Sequence, residues 1–543
     1  MAEYDIAGHS GALRADQTLQ TLYRIIIGYG NREAAVWLEN GAEKTLTFTD
    51  YERLTRNYAA ELRRAVGAEK GAWVGIAMDT CKEWFPVFWG LLQAGYNALL
   101  LDASLSDEMT NYLLGQANAR ALVTTKTRKL AGDTRLIDAK TLFTAPEAPE
   151  SFAPDWADNV ALCTSGTTGT SRIFVYNGRA VTEQVLSSEL LYQAQKRIVE
   201  NEPRRALAFL PYHHVFGFMV NLMWISFLGY SNIYLENRTP QVVLETAQRC
   251  QPQLLIAVPL LANNFCAGLN RNLAKQSPIK RGMFRTLKGI SLGVQAVAPG
   301  FGLNLAEKVL FKGVNAKLLG TKLKVIILGG SHTPSEHLWA LNALGYYTVC
   351  GFGMTETAIT SVETSLNLRK RVSGSVGKPL RNVEYRVTPG EARGRRGEML
   401  IRGKSLHTGR LVEGKLLPPD TLEGGWYPTG DVVRLEKGDR MFVEGRCKDV
   451  IINESGENVY PDELEDTFSA LEGVEQFTVL GVKKPGKHQQ YEDIALVMNV
   501  GEHYRDDVWL ETLMRRITAA NAKLPTLKRL SRVLVTPEKL PLV

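Results

Sequence analysis

Four short stretches gather residues suited to phosphate chemistry. The first is "LCTSGTTGTSRIFVYNG", Leu162–Gly178, where Ser, Thr and Gly crowd together ahead of one cation, Arg172. Successive small residues let backbone N–H groups converge on one concavity, a nest that suits an anion. The spacing and lysine of a Walker A loop are missing, so a generic P-loop reading fails. The second stretch is "GFGMTET", Gly351–Thr357. There Thr355 can donate to a phosphate, and Glu356 can hold a Mg²⁺ that bridges phosphates. The third, "YPTGD", Tyr427–Asp431, ends in a carboxylate suited to a pair of ribose hydroxyls. The fourth, Gly445–Glu465, supplies Arg446 and then a turn-rich passage into a new domain. Each alone is ordinary turn chemistry; four in this order are a signal.

Those stretches need elements to carry them. Short apolar, β-rich runs precede the first two: "NVALC" leads into Thr164, and Tyr346–Cys350 leads into Gly351. Similar runs are "AWVGIAM", "ARALVTT", Leu207–Pro211, "QLLIAVP" and "LKVIILGG", with helical periodicity between several of them, as in Tyr51–Val66. The alternation predicts an α/β fold of largely parallel sheets covered by helices. Ligands bind at the carboxyl ends of such strands, where the first two stretches fall. From Gly374 to Glu444 short strands and Gly/Pro turns predict a β-rich subdomain, and from Val450 onward a compact α+β segment follows.

At 543 residues, with 45% hydrophobic and 22% charged residues, the chain reads as an ordinary globular protein of several domains. A net charge of +7 is mild for this size and gives no argument for nucleic acid. Cys81, Cys163, Cys250, Cys266, Cys350 and Cys447 are scattered without ligand spacing, which argues against zinc and disulfides and fits a reducing cytoplasm. The N-terminus has no signal-peptide pattern. Trp84–Leu101 and Ala206–Leu235 lack charged residues, but their Pro, Gly, His and Asn content reads as buried helices and strands rather than membrane spans.

Taken together, the stretches resemble the adenylate-forming superfamily of acyl- and aryl-CoA synthetases, luciferases and peptide-synthetase adenylation domains. The resemblance runs from "LTFTDYERL" through "GLLQAGYNALLLD", "PYHHVFG", Val258–Pro259 and "LGGS" to the C-terminal "LPTLKRLSRVLVTPEKLPLV". It implies a large N-terminal domain, 1–445, with the β-rich subdomain at about 374–445. A hinge at 446–449 and a small mobile C-terminal domain, 450–543, would follow. It also implies a two-step reaction: a carboxylic acid attacks the α-phosphate of ATP, and a thiol of CoA or of a carrier protein's phosphopantetheine then displaces AMP. By matching position, Thr164, Ser165, Gly166, Thr167, Thr168 and Gly169 would wrap the β- and γ-phosphates, with Arg172 as the loop's cation and Thr164 beside the metal. Gly330, Ser331, Phe352 and Gly353 would line the adenine. Thr355 would touch the α-phosphate, Glu356 the Mg²⁺ and Asp431 the ribose, with Arg446 nearby. His214 would flank the acyl pocket, and Lys448 would be the pivot.

The sequence departs from the family pattern in three places. Ser171-Arg172-Ile173 stands where Pro-Lys-Gly is usual, which keeps a cation but not a compact ammonium. Tyr176–Gly178 replaces a frequent histidine. The sequence stops at Val543, short of the Gly-Lys whose lysine the resemblance implies. The stretch Phe265–Leu323 is similar to long-chain fatty acyl-CoA synthetases, which implies a fatty acid. An aryl or medium-chain acid, a carrier protein as acceptor, and a nucleotide- or acyl-binding protein without activity remain alternatives. Between Gly268 and Val325 there are eleven Lys and Arg against a single acid, Glu307. With apolar neighbours Met283, Phe284, Phe301 and Phe311, that balance predicts peripheral contact with an anionic membrane.

Overall fold

A computed structural model of the chain describes residues 5–164, 171–199, 204–388, 395–452, 458–468, 471, 473–483 and 492–541. Ser165, Gly166, Thr167, Thr168 and Gly169 of the phosphate loop lie outside the described residues.

Strands that are apolar at every position, such as Leu254–Ala257 and Val325–Leu328, are buried at every position, because helices cover both faces of their sheet. That sheet has nine strands. Edge to edge they are Lys378–Pro379, Ala358–Val362, Tyr347–Met354, Val325–Leu328, Leu254–Ala257, Arg205–Leu207, Ser231–Tyr234, Glu33–Glu39 and Ala42–Thr47. A second sheet has eight strands: Lys415–Leu417, Gly409–Val412, Ile173–Asn177, Asn159–Cys163, Asn97–Leu100, Trp73–Ala77, Ala121–Thr124 and Arg135–Asp138. Pairing is parallel through the middle of both sheets and antiparallel towards the edges that carry the first two motifs. The α/β expectation of largely parallel, helix-covered sheets therefore holds. One predicted strand is displaced: Leu207–Pro211 begins as the end of Arg205–Leu207, and the chain then leaves the sheet.

Local sequence sets the helices. Phe48–Val66 starts on a capping box, with Thr47 and Asp50 bonding each other's backbone N–H, and stops at Gly67, whose φ of +56° suits the left-handed cap. The apolar run Ala206–Leu235 contains a π-helix, Gly217–Ile225, buried along its whole length. Gly217 is required there, because a Cβ would stand 2.0 Å from the Pro211 carbonyl oxygen. Among the described residues no helix is long and apolar enough to cross a membrane.

The basic stretch folds mainly into the helices Pro259–Ala274, Pro278–Val297 and Lys312–Leu318. Pro278–Val297 is mounted by polar groups. Ser291 and Gln295 are fully buried; Ser291 donates to the Ala343 carbonyl at 2.7 Å and Gln295 to that of Asn342 at 2.8 Å. Arg371, also fully buried, donates to the Gln295 side-chain oxygen at 2.9 Å and to the Asn342 amide oxygen. Burial draws its pKa down to about 10. One expectation for this stretch fails: Phe311 is buried, and Phe284 is half-buried against it with ring centroids 5.4 Å apart, whereas Met283 and Phe301 are exposed.

By internal packing the chain groups into two units, Met1–Glu384 with Arg402–Thr421, and Tyr385–Ile401 with Leu422–Val543. The sequence-based boundary at residue 445 falls inside the second. That unit holds the strands Tyr427–Glu436 and Arg440–Arg446, and a three-stranded sheet, Gln476–Lys483, Glu492–Asn499 and Arg532–Thr536. The helices Pro461–Phe468 and Asp507–Asn521 bury Leu464, Phe468, Leu513 and Ile517 with Leu496 and Met498 in a core of their own.

Candidate active site

The carboxyl ends of strands from both sheets of the first unit come together. Parallel register pairs Leu328 with Cys350, so Gly329 leaves its strand beside Gly351, which stays in the sheet through its pairing with Val362 on the other side. Gly329 must be a glycine to do so: a Cβ on it would meet the Gly351 carbonyl oxygen at 3.1 Å and the Phe216 ring at 2.8 Å. This contact also draws in the loop that carries His214. Gly330, with φ +95°, and Ser331 then emerge exposed, while Phe352, Gly353, Thr355 and Glu356 are each half-buried on a strand end whose continuation, from Thr357, is buried.

The backbone of Thr355 and Glu356 is held by the other sheet. The Tyr176 hydroxyl donates to the Thr355 carbonyl at 2.6 Å. The Glu356 carbonyl accepts from the His407 backbone N–H at 3.2 Å and from its Nδ1 at 2.7 Å. Since a carbonyl only accepts, His407 is fixed with its proton on Nδ1, and burial keeps the ring neutral by lowering its pKa. The Phe174 ring packs edge-on against His407, with centroids 4.9 Å apart. Phe174 and Tyr176 share one face of the strand Ile173–Asn177. The Thr355 and Glu356 side chains lie half-buried at the rim of the sheet.

The phosphate loop departs from the same strand. Thr164 N–H donates to the Arg172 carbonyl at 3.0 Å, and Arg172 N–H returns a bond to Thr164 Oγ1 at 3.2 Å. This reciprocal pair closes the loop's base directly above the pairing of Cys163 with Ile173, and the Arg172 side chain is exposed.

Two histidines, His213 and His214, lie on the loop that follows the strand Arg205–Leu207. Tyr212 N–H donates to Thr80 Oγ1 at 3.2 Å, which joins their loop to the eight-stranded sheet. His213 Nε2 lies 3.6 Å from Asp102 Oδ2, yet burial outweighs the carboxylate and holds its pKa down to about 4. His214 offers accessible surface while its surroundings desolvate the ring and lower its pKa. Both are neutral at pH 7.

The remaining expected residues form a set of their own in the second unit. Asp431 and Arg446 are cross-strand partners, with Arg446 Nε 2.8 Å from Asp431 Oδ1; the carboxylate is buried and the arginine half exposed. Lys448 is exposed on a single helical turn, Cys447–Asp449.

His407, Tyr176 and Phe174 are the functional residues that the motifs do not reveal. His407 lies 51 positions from Glu356 and Tyr176 lies 179 positions from Thr355. The departure from the usual histidine at Tyr176–Gly178 was the one visible sign. No group of three or more His, Cys, Asp or Glu suited to a metal occurs among the described residues. Mg²⁺ does not need one, since it keeps waters and takes one or two carboxylates with substrate phosphates. Glu356, accessible and with its backbone fixed, fits that demand.

Comparison with known proteins gives one family model, AMP-binding enzyme, matching residues 26–409. Among curated proteins, the chain is 26% identical over 381 residues to a probable chloroplastic acyl-activating enzyme 16 of Arabidopsis thaliana, covering 60% of this chain and 50% of that protein. It is 25% identical over 333 residues to long chain acyl-CoA synthetase 2 of the same organism, covering 59% and 49%. Among solved structures, o-succinylbenzoate coenzyme A synthetase from Bacillus subtilis, in complex with ATP and magnesium ion, superposes with a TM-score of 0.71 at 20% identity. The match covers 96% of each chain. The chain thus spans about half the length of the curated relatives named here.

Proposed function

From the premise that the chain belongs to the AMP-binding enzyme family, we propose that it is an AMP-forming acid–thiol ligase. It would join a carboxylic acid to the α-phosphate of ATP with loss of pyrophosphate, and pass the acyl group to a thiol with loss of AMP. The observation that carries this reading is the rim where Gly330, just past one strand, and Phe352, near the end of the adjacent strand, precede the pinned turn of Thr355 and Glu356. An aromatic face, a hydroxyl donor and one carboxylate in that order suit an adenine, an α-phosphate and a phosphate-bound Mg²⁺. The metal would supply charge neutralisation on the phosphates. The residues of this chain position and exclude; none serves as a nucleophile. Thr164 and Arg172, at the base of the loop, would face the β- and γ-phosphates, with Thr164 beside the metal.

His214 is neutral and accessible, which suits an uncharged wall of an acyl pocket. Asp431 would take the ribose hydroxyls, its carboxylate set by Arg446. Lys448, on a short exposed turn, would be the pivot between a large domain ending at 445 and a C-terminal domain beginning at 450. A long-chain fatty acid is the favoured substrate, supported by the likeness to a long chain acyl-CoA synthetase. An aryl acid is the second reading, favoured by the shared fold with an o-succinylbenzoate enzyme. CoA is the expected acceptor, and a carrier-protein thiol is the alternative.

Pyrophosphate release with ATP, Mg²⁺ and a panel of long-chain, medium-chain and aryl acids tests the reading. Release that depends on the acid and is fastest with long-chain acids is expected. Fastest release with aryl acids would move the substrate class. ATP binding without release for any acid would replace the enzyme by a nucleotide-binding protein.

A further inference from the structure

The helix Pro278–Val297 turns a polar pair inward, beside half-buried Phe284 and Leu287, and leaves much of its apolar surface outside. A surface helix ordinarily buries its apolar stripe and turns its polar side to water. Here the buried positions are Ser291 and Gln295, bonded to the Ala343 and Asn342 carbonyls and to Arg371. The apolar stripe is outside: Ile279, Met283, Ile290 and Val297 are 83%, 58%, 46% and 88% exposed. Their spacing places all four within an arc of about 40°, along roughly 27 Å of helix. Phe301, on the next helix, adds a ring that is 65% exposed. Apolar surface this continuous marks a contact site rather than ordinary scatter.

Charge selects the occupant. Arg271, Lys275, Lys280, Arg281, Arg285, Lys308, Lys312, Lys317 and Lys322 are exposed along the same stretch of sequence; on the helix itself Lys280 flanks the apolar stripe, whereas Arg281 and Arg285 lie round its other side. Among the described residues none of them has a carboxylate within ion-pair distance. The single acid of the stretch, Glu307, is buried and bridged to Arg197 at 3.2 Å, so it offsets none of this surface charge. A second copy of the chain would bring like charges together. An acidic protein would satisfy the cations but has no evident need of a long aliphatic stripe. An anionic lipid surface takes both, with cations on the headgroups and side chains inserted to the acyl boundary.

We infer that the helix Pro278–Val297 and its neighbours form a docking face for an anionic membrane, with Ile279, Met283, Ile290, Val297 and Phe301 as the inserting residues.

Binding to sedimented vesicles tests this without any substrate, so it stands or falls apart from the ligase reading. The full chain should bind phosphatidylglycerol-containing vesicles and bind pure phosphatidylcholine at least about tenfold less, with the difference shrinking as salt rises. Arg271→Glu, Lys275→Glu, Lys280→Glu and Arg281→Glu together should lower the partition coefficient by about a hundredfold or more. Ile279→Ser, Met283→Ser and Val297→Ser together should lower it about tenfold or more at unchanged salt dependence. Both sets lie on exposed positions, and an unchanged thermal midpoint with retained ATP binding checks the fold. Equal binding to both vesicle types would overturn the inference, as would serine variants that bind like the parent. So would a concentration-dependent dimer that the serine variants abolish in the absence of lipid, or an acidic carrier protein that displaces the chain from vesicles.

Discussion

Two segments braced near opposite ends of the strand Ile173–Asn177 are held in opposite ways. The turn of Thr355 and Glu356 is gripped from outside, its successive carbonyls bonded by Tyr176 and by His407. The loop that starts at Thr164 is closed by its own ends, Thr164 and Arg172, which bond each other. The difference separates two sources of precision. In the turn, exact placement is borrowed from residues remote in sequence, so a side chain there can be altered without moving the backbone. At the loop base, placement is local, and the residue that closes the loop is itself a candidate ligand.

The largest effect that would sharpen this contrast is at Glu356. His407 holds the Glu356 carbonyl, which Glu356→Gln retains, so the substitution should leave the turn in place while removing the carboxylate charge. Pyrophosphate release should fall about a hundred- to thousandfold, the usual cost of removing one preorganised electrostatic group. Thermal stability should not move; an unchanged rate at saturating Mg²⁺ would deny Glu356 its part.

An intermediate effect is expected at the grip. His407→Ala removes a buried donor and leaves the Glu356 carbonyl short of a partner, a loss of roughly 1–3 kcal/mol. About a tenfold drop in rate with a raised Mg²⁺ requirement should follow. His407→Asn, whose amide can donate from nearly the same place as Nδ1, should recover most of it. If alanine and asparagine lose stability alike and leave the Mg²⁺ dependence unmoved, His407 is a packing residue and the contrast dissolves.

The smallest effect is at the loop base. Thr164→Ser keeps the acceptor for the Arg172 N–H, whereas Thr164→Val deletes it at a cost of about 1 kcal/mol. The measurement is the KM for ATP, expected to rise several-fold for valine and hardly at all for serine. A large loss with serine as well would mean that the methyl group, rather than the closing bond, matters.

Local patterns carried the fold class and most of the motif positions. Strands such as Val325–Leu328 announce themselves as unbroken apolar runs, and small residues after a strand announce a binding turn. What stayed hidden is nonlocal or runs against pattern. His407 and Tyr176 act through bonds to carbonyls, which leave no trace in residue spacing. The π-helix of Gly217–Ile225 is apolar but for Asn221 and shows no period to read. Phe311 looked like a surface neighbour of the basic stretch because charge surrounds it in sequence, yet its ring is buried against Phe284. Pro278–Val297 has a helical period, but which face turns inward is decided by Arg371, which lies 76 positions beyond Gln295.

The strand Ile173–Asn177 has a consequence for what sequence changes the site can accept. It is a ruler with two marks: Arg172 closes the loop at one end, and Phe174 with Tyr176 support the turn from one face. Because alternate residues of a strand point to opposite sides, adding or deleting a single residue between Arg172 and Tyr176 would invert the parity of that face. The tyrosine hydroxyl would swing away from Thr355, and the loop would keep its closure while losing its alignment with the turn. Two residues would restore the face but displace the two marks by about 6.6 Å. Length in this segment is thus constrained more tightly than identity: many side chains can occupy it, and only one count of residues can.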